Sequence, residues 1–251
     1  MSNFQKYSAY YDLLYADKDY AAEADYVARR LGTARSVLEL GSGTGRHGRL
    51  LAERGFEVCG VELSAEMAAE AQGRGCGVRV GGGSFDCQVG DLRRFRAGRT
   101  FDAVISLFHV ISYQTGNDDL SAAFATAAEH LEPGGVFLFD VWHGPAVLTQ
   151  QPERRTKDVA DAARRLRRTA TPTLDTNAGT VRVDYDMACE DLSTGKTARF
   201  GEEHLMRYLF PTEIGFLADA AGFDELGSEE FLTGAPPSPD TWGVAYLLRK
   251  Q

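Results

Sequence analysis

The sequence predicts an α/β fold: a sheet wound from strand–helix–strand units, interrupted late in the chain by an antiparallel β unit. Three observations carry the prediction. Residues 37–48 read VLELGSGTGRHG, a short apolar strand, then Gly41, Gly43 and Gly45, then the first turns of a helix. One crossover helix separates this strand from the next, FEVCGV at residues 56–61, which implies a parallel pair. Residues 145–209 abandon that rhythm, and VRVDYDM within them alternates nearly residue by residue.

The elements follow in order. Residues 4–15, FQKYSAYYDLLY, are too rich in tyrosine for a disordered tail. Tyr7, Tyr10, Tyr11 and Tyr15 suit either packing on the body or a lid, where a ring face attracts a cation without attacking it. Tyr20, Ala24, Val27 and Leu31 recur at helical spacing over residues 19–31, and Gly32 ends that helix. The glycine loop aims helix-start N–H groups at whatever lies on it. Gly43, Gly45 and Gly48 also match G-x-G-x-x-G, the dinucleotide-binding pattern. Glu39, just before the loop, would repel a pyrophosphate and suits a cationic or amine-bearing ligand. Glu62 ends the second strand, where an acid reaches ribose hydroxyls in nucleotide sites.

Residues 73–83 hold six glycines and suggest two short strands around a loose turn. Residues 87–90 end a third strand, and Asp91 after it suits a helix cap or a ligand contact equally. The fourth strand, FDAVISL at residues 101–107, opens into FHVISYQ, which carries Phe108, His109 and Tyr113. At a crevice mouth these are substrate-facing residue types. His109 reads either as a base or orienter for an acceptor or as a packing histidine, and Tyr113 likewise. A helix over residues 118–131 leads through PGG into a fifth strand at 136–139. Asp140 and His143 follow it, with Trp142 between them as an apolar wall. Within the interruption, residues 166–171, 180–190 and 196–209 read as three antiparallel strands, with DLSTG as a hairpin turn. His204 and Arg207 either point into a pocket or decorate their strand. Pro211 starts a helix, residues 223–226 a sixth strand, and residues 242–248 a last one.

Composition excludes several classes. The formal charge of -9 disfavours binding to a nucleic-acid backbone, and the run Arg164, Arg165, Arg167, Arg168 reads as a solvated face. The 4 cysteines form no C-x-x-C pair and the 5 histidines are dispersed, so neither a disulfide framework nor a metal site is expected. No apolar run reaches membrane length and no signal-like start is seen, so a cytoplasmic protein without membrane partners is expected.

ELGSGTG, VELSAEM, VGDLRRF and EHLEPGGVFLFD together resemble the motifs of class I S-adenosylmethionine-dependent methyltransferases. YDLLY and EEHLMRYLF bring the resemblance nearest to bacterial nucleotide-amino-sugar and antibiotic N-methyltransferases. The resemblance implies a Rossmann-like seven-stranded sheet with helices on both faces. The core would span residues 1–144 and 210–251, the last strand entering antiparallel beside the sixth. Residues 145–209 would form an acceptor-binding lid above the active site that also contributes to a homodimer. It implies S-adenosylmethionine as cofactor, held by Tyr15, Glu39, the three glycines, Glu62, Leu63 beside adenine, Asp91, Leu92 and Phe108. Tyr7, Tyr11, Asp140, His143, His204 and Arg207 would face a small-molecule acceptor, with His109 and Tyr113 catalytic. The expected reaction is methyl transfer to an amine of an amino sugar or antibiotic intermediate. Oxygen or carbon acceptors, an NAD(P)-dependent oxidoreductase and a non-catalytic nucleotide-binding module are the alternatives.

Overall fold

A computed structural model of the chain describes residues 8–74 and 82–251. Seven strands form the main sheet: β1 (Ser36–Leu40), β2 (Glu57–Glu62), β3 (Ser84–Val89), β4 (Phe101–Ser106), β5 (Leu131–Trp142), β10 (Phe223–Glu230) and β11 (Gly243–Lys250). Their order is β10-β11-β5-β4-β1-β2-β3. The pairs among β1 to β5 are parallel, while β11 is antiparallel to both β5 and β10. The α1 (Ser8–Leu14) segment lies over the sheet's ligand end, and α2 (Tyr20–Leu31), α3 (Arg46–Glu53) and α4 (Ala65–Gly73) cover one face. On the other face lie α5 (Asn117–Glu129) and α7 (Pro211–Ala220).

Burial on both faces explains the unbroken apolar runs in the strands. Along β1, Val37 packs on the α2–α4 side while Leu38 and Leu40 pack on the α5–α7 side. The chain leaves β1 toward β2 and returns to β4 on β1's other flank. The carboxyl ends of β1 and β4 therefore part and open a crevice, the topological switch point of such sheets.

Between α6 (Gly144–Gln150) and α7 the chain builds a second, antiparallel sheet. It has four strands, not three: β6 (Arg155–Ala160), β7 (Arg164–Asp175), β8 (Thr180–Asp191) and β9 (Thr197–Arg207), in that order. The extra strand, RTKDVA, escaped notice because its apolar alternation is minimal and it forms the sheet's edge. The unit leaves and rejoins the main sheet at one place: Leu209 N–H donates to Trp142 O at 2.9 Å and Gly144 N–H to Leu209 O at 2.8 Å. Leu14 of α1 is fully buried against Leu166, Met187 and Cys189 of this sheet, which ties lid and roof together. Burying one leucine contributes about 1.5–3 kcal/mol. Most of the expected glycine-rich turn at residues 73–83 lies outside the described residues. Its start does not: α4 continues through Gly73. Among the described residues no helix is long and apolar enough to cross a membrane.

Candidate active site

A cavity of about 690 Å³ fills the crevice between the sheets. Its floor is the glycine loop. Gly41 has φ +80°, and a Cβ there would lie 2.5 Å from a Val110 methyl, so a side chain is excluded by backbone and neighbour together. Gly43 N–H donates to Glu62 Oε2 at 2.8 Å, and Ser64 N–H to Glu62 Oε1 at 2.8 Å. The buried Glu62 carboxylate is thus fixed at the end of β2, with remaining lone pairs for a diol in the cavity. Burial raises its pKa against the lowering pull of these backbone donors.

Asp91 follows β3 at the cavity wall, but its carboxylate is held by Arg93, Nε at 2.8 Å and Nη2 at 2.6 Å. The Arg93 guanidinium keeps Asp91 below the usual carboxylate range. Leu63 and Leu92 complete an apolar edge suited to a flat ring.

Phe108 and His109 form a strained turn after β4. Both are non-glycine residues in the left-handed region, with φ of 65° and 62°. Each costs on the order of 1–3 kcal/mol and persists only where surroundings enforce it. Asp140, fully buried on β5, supplies part of that enforcement by accepting the His109 N–H at 3.2 Å. Its Oδ2 also lies 2.7 Å from His109 Nδ1. Burial alone would raise Asp140. The His109 ring, its N–H and Lys18 outweigh burial and bring Asp140 below the usual carboxylate range.

The roof comes from the second sheet. Arg155, Arg168, Tyr185, His204 and Met206 line the cavity from above, and Tyr11 and Tyr15 of the lid close its side. Arg168 Nη1 donates to Tyr15 Oη at 3.1 Å, and its guanidinium lies 4.9 Å from the Tyr185 ring centre. Tyr113 Oη and His204 Nδ1 are 2.8 Å apart, joining the loop after β4 to the roof. Burial pushes the Tyr113 phenol well above its ordinary value, so it is a neutral hydroxyl there.

Most expected residues converge: Tyr11, Tyr15, Gly41, Gly43, Glu62, Leu63, Asp91, Leu92, Phe108, His109, Tyr113 and His204 all line this cavity. Others do not. Glu39 sits one layer behind the loop, bonded to Ser42 Oγ at 3.0 Å, where burial raises it to about 8. Gly45 starts α3 and faces Phe85 instead. Asp140 stands behind His109 and not beside an acceptor. His143 is buried with Nδ1 3.2 Å from Thr241 O, and Arg207 pairs with Glu213 at 2.6 Å and Asn117 at 2.7 Å, so the expectation that these two face the acceptor is corrected. Tyr7 lies outside the described residues.

The arginine run also needs correction. Arg165 and Arg167 are solvated and pair with Glu190 and Asp158, but Arg168 is in the cavity. The strand period of two puts Leu166 and Arg168 on the inner face and their neighbours outside, a signal present in the sequence. Tyr185 and Met206 were missed for want of the same reading.

The donor set fits S-adenosylmethionine. A glycine floor that admits close approach, a buried strand-end carboxylate suited to a ribose diol, an apolar edge suited to a purine and aromatic rings suited to a sulfonium are all present. A methyltransferase-domain family model matches residues 37–135. The chain is 34% identical over 239 residues to a dTDP-3-amino-3,4,6-trideoxy-alpha-D-glucopyranose N,N-dimethyltransferase of Streptomyces venezuelae, covering 90% of this chain and 92% of that one. Its fold is similar to the crystal structure of Streptomyces venezuelae DesVI, with TM-score 0.80, 28% identity, and 98% and 99% of the two chains covered. It is also similar to S-adenosylmethionine-bound CalS10, an amino pentose methyltransferase from Micromonospora echinaspora, with TM-score 0.75, 26% identity, and 99% and 98% covered. With a cavity built for this cofactor and a relative matched along nearly its whole length, the chain belongs to the class I S-adenosylmethionine-dependent methyltransferases.

Proposed function

We propose that this enzyme methylates an amine of a small polar acceptor, an amino sugar or a related antibiotic intermediate. The observation that carries the reading is the His109–Asp140 pair, placed where the cofactor floor meets the acceptor roof. S-adenosylmethionine, when bound, supplies an electrophilic methyl on a sulfonium. The chain must then align the acceptor and provide it with a free lone pair. An amine is protonated near neutrality, and a histidine accepts that proton at working pH. With His109 Nδ1 facing the Asp140 carboxylate at 2.7 Å, Nε2 is the nitrogen left for the acceptor. Tyr113 and His204 offer polar contacts further in.

Arg155 and Arg168 give the roof a positive charge, which suits an acceptor carrying a phosphate or diphosphate. The relative from Streptomyces venezuelae is named for a dTDP-linked amino sugar, and its likeness supports the same class here. The experiment is a labelled-methyl screen over dTDP-linked amino sugars, free amino sugars, amino acids, phenols and sugar hydroxyls, run with wild type and His109→Ala. Turnover on amines is expected, with kcat of the variant down about 10²–10⁴-fold and cofactor affinity kept. Turnover confined to hydroxyl or carbon acceptors would overturn the amine reading. A near-normal kcat with a raised KM would leave His109 a binding residue.

A further inference from the structure

Two cavities meet at the Phe108–His109 turn. The smaller, about 390 Å³, lies on the far side from the acceptor roof, and its walls include Lys18, Glu23, Asp140 and Trp242. Lys18 belongs to the turn that joins the lid helix α1 to α2. Its N–H donates to Tyr15 O at 3.2 Å, and its carbonyl accepts from Tyr20 N–H at 2.9 Å. The side chain is largely buried. Its ammonium stands 4.3 Å from the Phe108 ring centre and 4.4 Å from that of Tyr20. It is paired with Glu23, whose carboxylate also meets His47 Nε2 at 2.6 Å.

We propose that Lys18 is a positioning residue that clamps the Phe108–His109 turn to the foot of the lid. Two successive non-glycine residues do not keep a left-handed shape unaided. Asp140 secures the second by accepting its N–H. Phe108 is secured through its ring, by the Tyr15 edge 5.0 Å away and by the Lys18 ammonium. A cation withdrawn from water binds an aromatic face more strongly than an exposed one does. The same charge acts favourably on Asp140, so one ammonium bears on both residues of the turn. Burial pulls the Lys18 pKa down on balance, while Glu23 and Asp140 pull it part of the way back up. Because Lys18 also lies in the turn that follows α1, one side chain bears on both the seating of the lid and the shape of the Phe108–His109 turn. A lysine that merely neutralised Glu23 would have no bearing on the turn.

The test compares wild type with Lys18→Met, Lys18→Arg, Phe108→Leu and the double variant Lys18→Met/Phe108→Leu, all as the full chain. The readouts are amide hydrogen exchange across residues 107–110, thermal unfolding, and calorimetric binding of S-adenosylhomocysteine. Lys18→Met should speed exchange at the turn about ten-fold, as loss of a desolvated cation–π contact implies, with β1 and β4 unchanged. Lys18→Arg should restore most of the protection, and the methionine change should add little in the Phe108→Leu background. In the two single Lys18 variants, affinity for S-adenosylhomocysteine should stay within about three-fold of wild type, since the glycine floor, Glu62 and Phe108 are unsubstituted there. The proposal is overturned by wild-type exchange in Lys18→Met, by a uniform rise across the chain with a matching fall in melting temperature, by failure of arginine to rescue, or by full additivity with Phe108→Leu. None of these readouts needs the acceptor, so a failed amine reading and a failed clamp are separate results.

Discussion

On the floor of the cavity the work is done by backbone. Gly41 admits a ligand because no side chain fits there, and Glu62 is held by two main-chain N–H groups. On the roof the walls are side chains, Arg168 on β7, Tyr185 on β8 and His204 and Met206 on β9 of the second sheet, with Arg168 braced by Tyr15. A floor made of backbone tolerates little change and suits the ligand shared across a family. A roof made of alternating strand positions can be re-dressed residue by residue while its sheet hydrogen bonds stay as they are.

That contrast can be broken by variants that should each affect one half. The largest effect is expected from Glu62→Ala. It removes a charged acceptor that also organises the loop, and should weaken cofactor binding by about 1.5–3 kcal/mol. Calorimetric titration checks this, and an unchanged affinity would remove Glu62 from the ribose site. Arg168→Met should do the opposite. Acceptor KM should rise about five-fold for a partly solvated charge while cofactor affinity holds. A loss of cofactor affinity in that variant would mean that floor and roof are not separable.

A third variant concerns the layer beneath the floor. Folding raises Glu39 from 4.5 to about 8, so between those values the folded chain holds a proton that the unfolded chain has released. Stability therefore falls as pH rises through that window and levels off above it. Glu39→Gln keeps a neutral group in place. Its melting temperature should match wild type near pH 4.5 and exceed it at pH 8, by roughly 2–4 °C for each kcal/mol recovered. Parallel curves for the two proteins would show that Glu39 does not carry this dependence.

The floor was the legible half, and the reason is physical. Glycines, a strand-end acid and an apolar run lie within residues 37–63, so local spacing encodes the whole arrangement. Even there the spacing told which residues meet and not in which layer, and Glu39 was placed beside the ligand when it lies behind the loop. The roof is assembled from residues 155, 168, 185, 204 and 206, on four strands brought together by sheet register. Register cannot be read from one strand alone. Arg207 shows the cost: it sits on the expected strand, but its partner Glu213 lies on α7 outside the cavity. Lys18 carried no motif at all, and its place depends on a turn whose shape only the packed lid defines.

The two ends of the second sheet rejoin β5 within hydrogen-bonding distance of each other, at Trp142, Gly144 and Leu209. The second sheet thus enters and leaves at one point of the main sheet, and the strand order of the main sheet runs on past it unbroken. The buried contact of Leu14 with Leu166 and Met187 adds a condition. A roof taken from a relative would arrive without the surface that Leu14 fits, so α1 must travel with it.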